Sequence, residues 1–195
     1  MYKNMNNTGK FRKPIIEQKE DAGFNKLKQL IDEHHSDEFS IRRSSPEEDY
    51  YDHIDGYITF KKCSDKRFEG KEFSFDVKET KKKNRSDENV CYDYIILEVQ
   101  GVSGLPGSLY GKQQYFIFEH KNSWLVVQRQ KLVSLIKENV DTDSFILKTR
   151  EVKEIEPYVQ YRREDSEKYG PRNDRVVYVP FDDIMPLVGC RIDKV

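Results

Sequence analysis

The sequence predicts an α/β fold: a mixed central sheet flanked by helices, with a small C-terminal β-rich extension. Three observations predict it. Apolar residues recur every three or four positions over 24–34 and 132–136, as they do on one face of a helix. They recur every second position over 54–60 and 73–77, as they do on one face of a strand. Leu, Ile, Val and Phe make up about a quarter of the 195 residues, which is enough for one compact core.

The charge balance excludes a strong attraction of the whole molecule to nucleic acid or to an anionic membrane. The chain has 34 basic and 35 acidic side chains and a formal net charge of -1, so any contact with nucleic acid must be local. No apolar run approaches the roughly 18 residues of a membrane span, and the segment after Met1 has no apolar signal sequence. We therefore expect no membrane partner and a cytoplasmic location. Cys63, Cys91 and Cys190 form no close pair, which indicates free thiols rather than a disulfide framework or a zinc site.

The N-terminal part of the chain is expected to hold a basic arm and two helices. Residues 1–13 carry basic side chains and no acid, which predicts a disordered arm that could touch phosphates. Pro14 and the acids after it predict the start of a helix that reaches His34, with a break at Gly23 left open. Residues 44–48 supply a serine cap, a first-turn proline and two acids, as expected of a short helix or turn before the next strand.

Strands dominate the rest of the chain. Residues 54–60 and 73–78 alternate as a hairpin with a long loop, and residues 92–99 are apolar enough for a central strand buried on both faces. Strands at 115–119 and 123–128 flank a tight turn, and a helix follows at 132–136. Short strands are expected around 145–147, 158–161 and 175–179. We expect a core over 14–142 and, packed on it, the β-rich extension over 143–195.

The glycine-rich stretch 101–112 does not match a phosphate-binding loop. Gly107 and Gly111 are one residue too close together, and Gln113 follows Lys112 where that motif needs Ser or Thr. No nucleotide cofactor is therefore expected.

Two carboxylates and an ammonium are predicted to meet on the hairpin. Asp55 begins one strand, and Asp76 and Lys78 lie two residues apart on its partner, so all three are expected on one face of the sheet. Carboxylate oxygens bind hard cations such as Mg²⁺ or Mn²⁺, which keep positions for water and a substrate phosphate. A lysine can orient the attacking water or offset charge that develops on phosphorus. This combination is typical of phosphodiester cleavage.

The run Ile54-Asp55-Gly56 followed by Asp76-Val77-Lys78 resembles the PD-(D/E)XK nuclease superfamily, whose restriction-endonuclease-like fold places a helix before a mixed sheet. The order of predicted elements over residues 14–139 is similar, and the chain looks like uncharacterised phage proteins of that superfamily. The resemblance implies a Mg²⁺- or Mn²⁺-dependent nuclease acting on DNA, with RNA left open. It implies that Asp55 and Asp76 bind the metal and that Lys78 is catalytic. Two departures are Ile54 in place of the motif's proline and Asp76 in place of the commoner glutamate, and neither removes a ligand oxygen.

The strand after the hairpin offers further ligands. Glu98 is a candidate third metal ligand, and Gln100 lies in the same alternation with its amide. A rival register takes Asp76 as the first acid and Glu98-Val99-Gln100 as the motif, but that register loses the ammonium and is the poorer match.

Other polar residues near the motif could contribute. His53 stands two residues before Asp55 and is expected on the same face, as a phosphate or base contact. Glu20, or equally Glu17, could supply a carboxylate from the first helix. The loop after Lys78 is predicted to grip the nucleic-acid backbone through its basic residues Lys81, Lys82, Lys83 and Arg85.

Two other interpretations fit the same residues. A nuclease-like fold without activity could serve as an accessory protein that binds nucleic acid or protein, and the charged pairs could also be purely structural. Retention of all three motif residues favours activity over the binding role, and the near-neutral charge favours a protein partner. Binding of a divalent metal separates the purely structural interpretation from the nuclease, because only the nuclease requires Asp55 and Asp76 to converge.

Overall fold

The computed structural model describes residues 14–62, 65–80, 91–102, 104–141, 143–148, 155–163 and 173–195, without the side chains of 14–21, 147, 148 and 163. The predicted basic arm, residues 1–13, lies outside these ranges. The described residues form a mixed α/β structure in which two sheets lie face to face and a helix packs on the other face of the larger sheet. The predicted α/β class is therefore confirmed.

The helices of the described chain are α1 (Pro14–His34), α2 (Pro46–Asp52), α3 (Arg129–Asn139) and α4 (Phe181–Ile184), with short 3-10 turns at Ser108–Tyr110 and Met185–Leu187. The strands are, in chain order, β1 (Phe39–Arg43), β2 (Gly56–Phe60), β3 (Glu72–Lys78), β4 (Tyr94–Gln100), β5 (Tyr115–Glu119), β6 (Ser123–Gln128), β7 (Ile146–Lys148), β8 (Gln160–Arg163), β9 (Arg175–Pro180) and β10 (Val188–Asp193). The predicted helix after Pro14, the short capped helix and the two hairpins are all confirmed by these bounds.

The larger sheet has the strand order β1-β2-β3-β5-β6-β10. Its neighbouring strands run antiparallel except β3 and β5, which run parallel and make the sheet mixed. A parallel pair needs a crossover, and here the crossover includes β4 and the 3-10 turn before β5. This connection leaves the C-terminal end of β3 beside the second sheet, where the predicted site residues lie.

The outer face of the larger sheet is covered by α1. The helix is continuous through Gly23, so the break left open by the sequence does not occur. Its apolar residues Phe24, Leu27 and Ile31 are spaced to lie on one side, and they are buried in one cluster with Phe75 and Val77 of β3. This packing fixes which face of β3 is apolar and leaves the opposite face for polar residues.

The smaller sheet has the order β4-β9-β8-β7 and packs against the inner face of the larger sheet. The interface between the sheets is lined by Ile95, Leu97, Phe116, Phe118, Leu125, Val127, Val177 and Val179, with α3 closing it. The prediction that residues 92–99 form a central strand is wrong, because β4 stands at the end of the second sheet's order. The strand is apolar because Ile95 and Leu97 face the first sheet while Ile96 packs in a separate outer cluster.

Residues 143–195 contribute to both sheets. β10 pairs with β6 in the larger sheet, and β9 pairs with β4 in the smaller one. The boundary predicted at residue 142 therefore separates strands that are hydrogen-bonded to each other. In the described part of the chain, no helix is long and apolar enough to cross a membrane.

Candidate active site

The backbone brings Asp55 beside Asp76. Gly56 pairs with Phe75 in the antiparallel register of β2 and β3, and the Asp55 N–H donates to the Phe75 carbonyl at 2.9 Å. Asp55 therefore lies directly before β2, tied to β3 by a bond outside the regular register. Ser44 holds it from the other side, because its N–H donates to the Asp55 carbonyl at 3.2 Å. The two carboxyl groups are neighbours, because Asp55 accepts from the Val77 N–H and a side-chain hydrogen bond to Asp76 contributes to its raised pKa.

Gly56 allows this close packing at the start of β2. A Cβ atom at this position would lie 2.6 Å from the Phe24 ring and 2.7 Å from the Arg42 carbonyl. The residue directly after Asp55 must therefore be very small, because α1 packs against the backbone there.

The site lies on the face of β3 that is turned toward the second sheet. Phe75 and Val77 point to α1, so Asp76 and Lys78 point the other way. In the parallel register Asp76 pairs with Phe116 and Lys78 with Phe118, and both phenylalanines belong to the core between the sheets. Asp76 therefore sits at the margin of an apolar interface.

The two carboxylates differ in their partners. Oδ2 of Asp55 accepts a hydrogen bond of 2.7 Å from the Val77 N–H. Asp76 is only 2% exposed, and Nζ of Lys78 lies 2.7 Å from its Oδ1 as an ion pair. Among the described residues, the Asp55 carboxyl group is the other neighbour that can hydrogen-bond to Asp76, and no backbone N–H donates to either Asp76 oxygen. A buried carboxylate with unfilled acceptor positions is costly, and this cost is removed where a cation binds it.

The pKa of Asp55 also indicates a site that would bind a cation. Burial raises the pKa of its carboxyl group well above the usual Asp range, and the neighbouring Asp76 raises it further. The Lys78 ammonium and the hydrogen bond from Val77 oppose this shift without cancelling it. A carboxyl group whose ionised form is disfavoured by burial and by a neighbouring carboxylate is stabilised as the anion when a cation binds beside it, so a metal ion would take the place of its proton.

The donor set fits a hard divalent cation, although it is small. Asp55 and Asp76 supply carboxylate oxygens, which such cations prefer, and Mg²⁺ is often held by only one or two carboxylates. Among the residues that the structure describes, no three His, Cys, Asp or Glu side chains converge as ligands of one metal ion. Any bound ion would therefore keep several positions for water or substrate.

Asp49 is a neighbour of the pair that the sequence reasoning missed. It lies on α2, and burial raises its pKa, while the charges of Arg43, Asp76 and Lys78 also act on it. The local sequence carries no signal for this role, because the contact depends on where tertiary packing places α2.

His53 does not lie on a strand, so the prediction that it shares the face of Asp55 by alternation is wrong. It is the C-cap of α2, with φ 56° and ψ 44°, and its N–H donates to the Glu48 carbonyl. A left-handed residue between helix and strand breaks the two-residue period on which the prediction relied. The half-buried His53 instead packs its Cβ close to Gly111.

Glu98 and Gln100 are not brought to the pair. Both lie on β4 in the second sheet, where Glu98 follows the alternation of Tyr94 and Ile96, Gln100 lies beyond a bulge in the pairing with β9, and Glu98 does not complete a three-residue ligand cluster among the described residues. The prediction of Glu98 as a third metal ligand, with Gln100 beside it, is therefore corrected by the sheet topology. Glu20 lies in α1, but its side chain is outside the described set. The predicted basic clamp, Lys81, Lys82, Lys83 and Arg85, also falls outside the described residues.

Comparisons with known proteins identified no relative of this chain. Neither family models, nor curated proteins, nor solved structures gave a match to the chain.

Proposed function

We propose that the protein is a metal-dependent nuclease that hydrolyses phosphodiester bonds in DNA. The observation that carries the proposal is the convergence of Asp55, Asp76 and Lys78 beside the β2/β3 hairpin, with both carboxyl groups buried and the Lys78 ammonium paired with Asp76. Buried like charges are costly to fold, and such costs concentrate where chemistry needs them.

The order of elements supports the restriction-endonuclease-like form of the fold. α1 precedes a mixed sheet, the second and third strands carry the acids and the lysine, and the next strand of that sheet runs parallel to β3. A helix before a mixed sheet is the part of this arrangement that the resemblance of the two motifs implies.

Each residue has a distinct part in the proposed reaction. Asp55 and Asp76 would hold a Mg²⁺ or Mn²⁺ ion, which would supply Lewis-acid polarisation of a phosphate oxygen and a more acidic water. Lys78, partly exposed beside Asp76, orients the attacking water or offsets the negative charge that grows on phosphorus. The apolar interface next to Asp76 keeps the local dielectric low, which strengthens these interactions.

A cleavage assay with matched variants tests the proposal. Wild type, Asp76→Asn, Lys78→Gln and Glu72→Gln are incubated with single-stranded, duplex and branched DNA in Mg²⁺ or Mn²⁺. Glu72 is the control, because it lies on the same face of β3 as Asp76 but at the exposed end. We expect metal-dependent cleavage by wild type and Glu72→Gln, and a loss of roughly a hundredfold or more in the other two variants. Equal cleavage by all four proteins would contradict the proposal.

A second candidate is a nucleic-acid-binding or protein-binding protein with the same fold and no activity. It is favoured by the small ligand set, since only two carboxylates converge within the described residues and Lys78 already pairs with one of them. Under this alternative, wild type cuts none of the substrates and binds them equally with and without a divalent metal.

A further inference from the structure

Two tyrosines stand in water beside the candidate site. Tyr50 is 65% exposed and Tyr51 is 70% exposed, and their rings pack edge to face with centroids 4.8 Å apart. Adjacent large aromatic side chains that are this exposed have a cost in water, and they usually mark a surface that binds something.

The helix that carries these tyrosines is held firmly. At its start, Ser45 and Glu48 form a reciprocal capping box, and Glu48 also accepts a hydrogen bond from the Tyr57 hydroxyl. At its end, the Lys112 N–H donates to the Asp52 carbonyl at 2.8 Å, and the Lys112 ammonium lies 2.9 Å from the Asp52 carboxylate. The ring pair is therefore presented on a rigid support, which lowers the entropy lost on binding.

Gly111 allows the loop to press against this helix end. A Cβ at position 111 would lie 2.8 Å from the Asp52 carbonyl and 2.9 Å from Cβ of His53. Only glycine permits this approach, which sets the exposed side chain of Lys112 at the same end of α2 as Tyr51.

Tyr50 and Tyr51 are close to Asp55 along the chain. Tyr51 precedes Asp55 by four residues, so their Cα atoms are at most about 14 Å apart. A nucleic-acid strand whose phosphate lies at Asp55 and Asp76 can therefore extend over the tyrosines within a few nucleotides.

The charges of α2 select the kind of ligand. Four of its seven residues are acidic, namely Glu47, Glu48, Asp49 and Asp52. A duplex presents its phosphates outward and its bases inward, so these acids would repel it. An unpaired base presents a neutral π-face, which stacks on an aromatic ring without bringing its phosphate to the same point. A phosphate of the same strand can approach the Lys112 ammonium, which stays well exposed although it also pairs with Asp52.

We propose that Tyr50 and Tyr51 form a stacking platform for unpaired bases, so that the substrate is a single strand or a single-stranded segment of DNA. This inference rests on the proposed function for the identity of the ligand as nucleic acid. It goes beyond the function by assigning the substrate class and the residues that select it.

Binding measurements without cleavage test this assignment. The anisotropy of a labelled short oligonucleotide, single-stranded or annealed to its complement, is titrated with protein after the metal is removed. We expect wild type to prefer the single strand, and the double substitution Tyr50→Ala/Tyr51→Ala to weaken that binding about tenfold or more while leaving duplex binding nearly unchanged. The matched pair Tyr50→Phe/Tyr51→Phe keeps the rings and should bind like wild type. Phe145→Ala, which removes an exposed aromatic next to β7 of the other sheet, should have no effect.

Three outcomes would overturn the assignment. In the first, Tyr50→Ala/Tyr51→Ala, called the alanine pair below, binds single strands as tightly as wild type. In the second, this variant loses single-strand and duplex binding equally. In the third, wild type shows no preference for single strands. A protein partner on the tyrosines would give the first outcome. Because the tyrosines are exposed, thermal unfolding of the alanine pair should match wild type, which checks that the fold is intact.

The test separates this inference from the proposed nuclease activity. If Tyr50→Ala/Tyr51→Ala still cleaves DNA in the presence of metal and binds oligonucleotides like wild type, the stacking platform is contradicted and the nuclease is supported. If wild type cuts none of the substrates but binds single strands through the tyrosines, the nuclease is contradicted and the stacking platform is supported.

Discussion

On one face of β3, Phe75 and Val77 are buried against α1, and the Phe75 ring stacks on Phe24 with centroids 6.2 Å apart. On the other face, Asp76 is equally buried, but it is paired with Lys78 and opposed by a second carboxylate. Alternate residues of a single strand thus meet two different environments. Burial of Phe75 removes apolar surface from water and stabilises the fold, whereas burial of Asp76 opposes it.

The difference between these faces shows how a strand can serve stability and chemistry together. The apolar face anchors β3 firmly enough for the polar face to hold two carboxylates in an unfavourable position. If this is correct, changes on the α1 side should act on stability, and changes on the inner side should act on metal binding, pH dependence and activity.

Truncation of the apolar face should have the largest effect on stability. Phe75→Ala removes a fully buried ring, and we expect it to lower the free energy of unfolding by about 3–5 kcal/mol. Urea denaturation followed by circular dichroism measures this. Phe73→Ala is the matched control, because Phe73 lies on the same face but is only partly buried and should cost less. A loss below about 1 kcal/mol for Phe75→Ala would show that the α1 contact does not anchor β3.

A divalent metal should stabilise the inner face by the next largest amount. Ligand at one hundred times its dissociation constant adds about 2.7 kcal/mol to the stability of the state that binds it. We expect Mg²⁺ or Mn²⁺ to raise the melting temperature of wild type and of Glu72→Gln, but not that of Asp76→Asn. Equal shifts in all three proteins would indicate a general salt effect and remove the support for a metal at this pair.

The pair itself was predictable from the sequence because it depends on local rules. A two-residue period places Asp76 and Lys78 on one face, and a hairpin brings the preceding strand back beside them, so Asp55 had to lie close by. The Ser45 cap of α2 was equally local, and the structure has both halves of the capping box.

What the sequence could not predict depends on contacts between distant segments. β4 is apolar because it packs between two layers, and its composition is the same as that of a strand in the middle of a sheet. The sequence therefore predicted β4, with Glu98, as a central strand beside the hairpin, whereas it lies at the end of the second sheet. β10 is a different case, because Val188, Cys190 and Ile192 alternate with Gly189, Arg191 and Asp193, and the strand was missed although this local signal was present. The proximity of Asp49 to the pair follows from the docking of α2 and has no local signature.

Removing one of the opposed charges should stabilise the protein and change its pH dependence. Burial, reinforced by Asp76, raises the pKa of Asp55, so the folded state keeps a proton that the unfolded chain loses above about pH 3.9. Because the folded state binds more protons, wild-type stability falls as pH rises from that point through the raised pKa. Asp55→Asn keeps an oxygen to accept from Val77 and removes the charge, so we expect a gain of about 1–2 kcal/mol at pH 7.

Unfolding curves collected from pH 4 to 8 check this prediction. The advantage of Asp55→Asn over wild type should be small at the acidic end, where both side chains are neutral, and should grow with pH. A constant difference across the range would mean that the substitution acts through packing, and a loss of stability at pH 7 would contradict the charge argument. At the same time the variant should lose metal binding and cleavage.

The smallest effect is expected at the exposed end of the same polar face. Arg42 makes two hydrogen bonds to Glu72, of 2.7 and 2.6 Å, and its guanidinium lies 3.9 Å from the centre of the Tyr57 ring. This contact is as short as that of Lys78 and Asp76, but both charged side chains are well exposed, so solvent screens their attraction. We therefore expect Glu72→Gln to lower the free energy of unfolding by at most about 1 kcal/mol. A double-mutant cycle of Arg42→Ala and Glu72→Gln, measured at low and high salt, gives this coupling and should show it weaken with salt. A large coupling energy that does not change with salt would contradict this prediction. It would mean that the exposed Arg42–Glu72 pair is as strong as a buried one, so burial would not distinguish it from the Lys78–Asp76 pair.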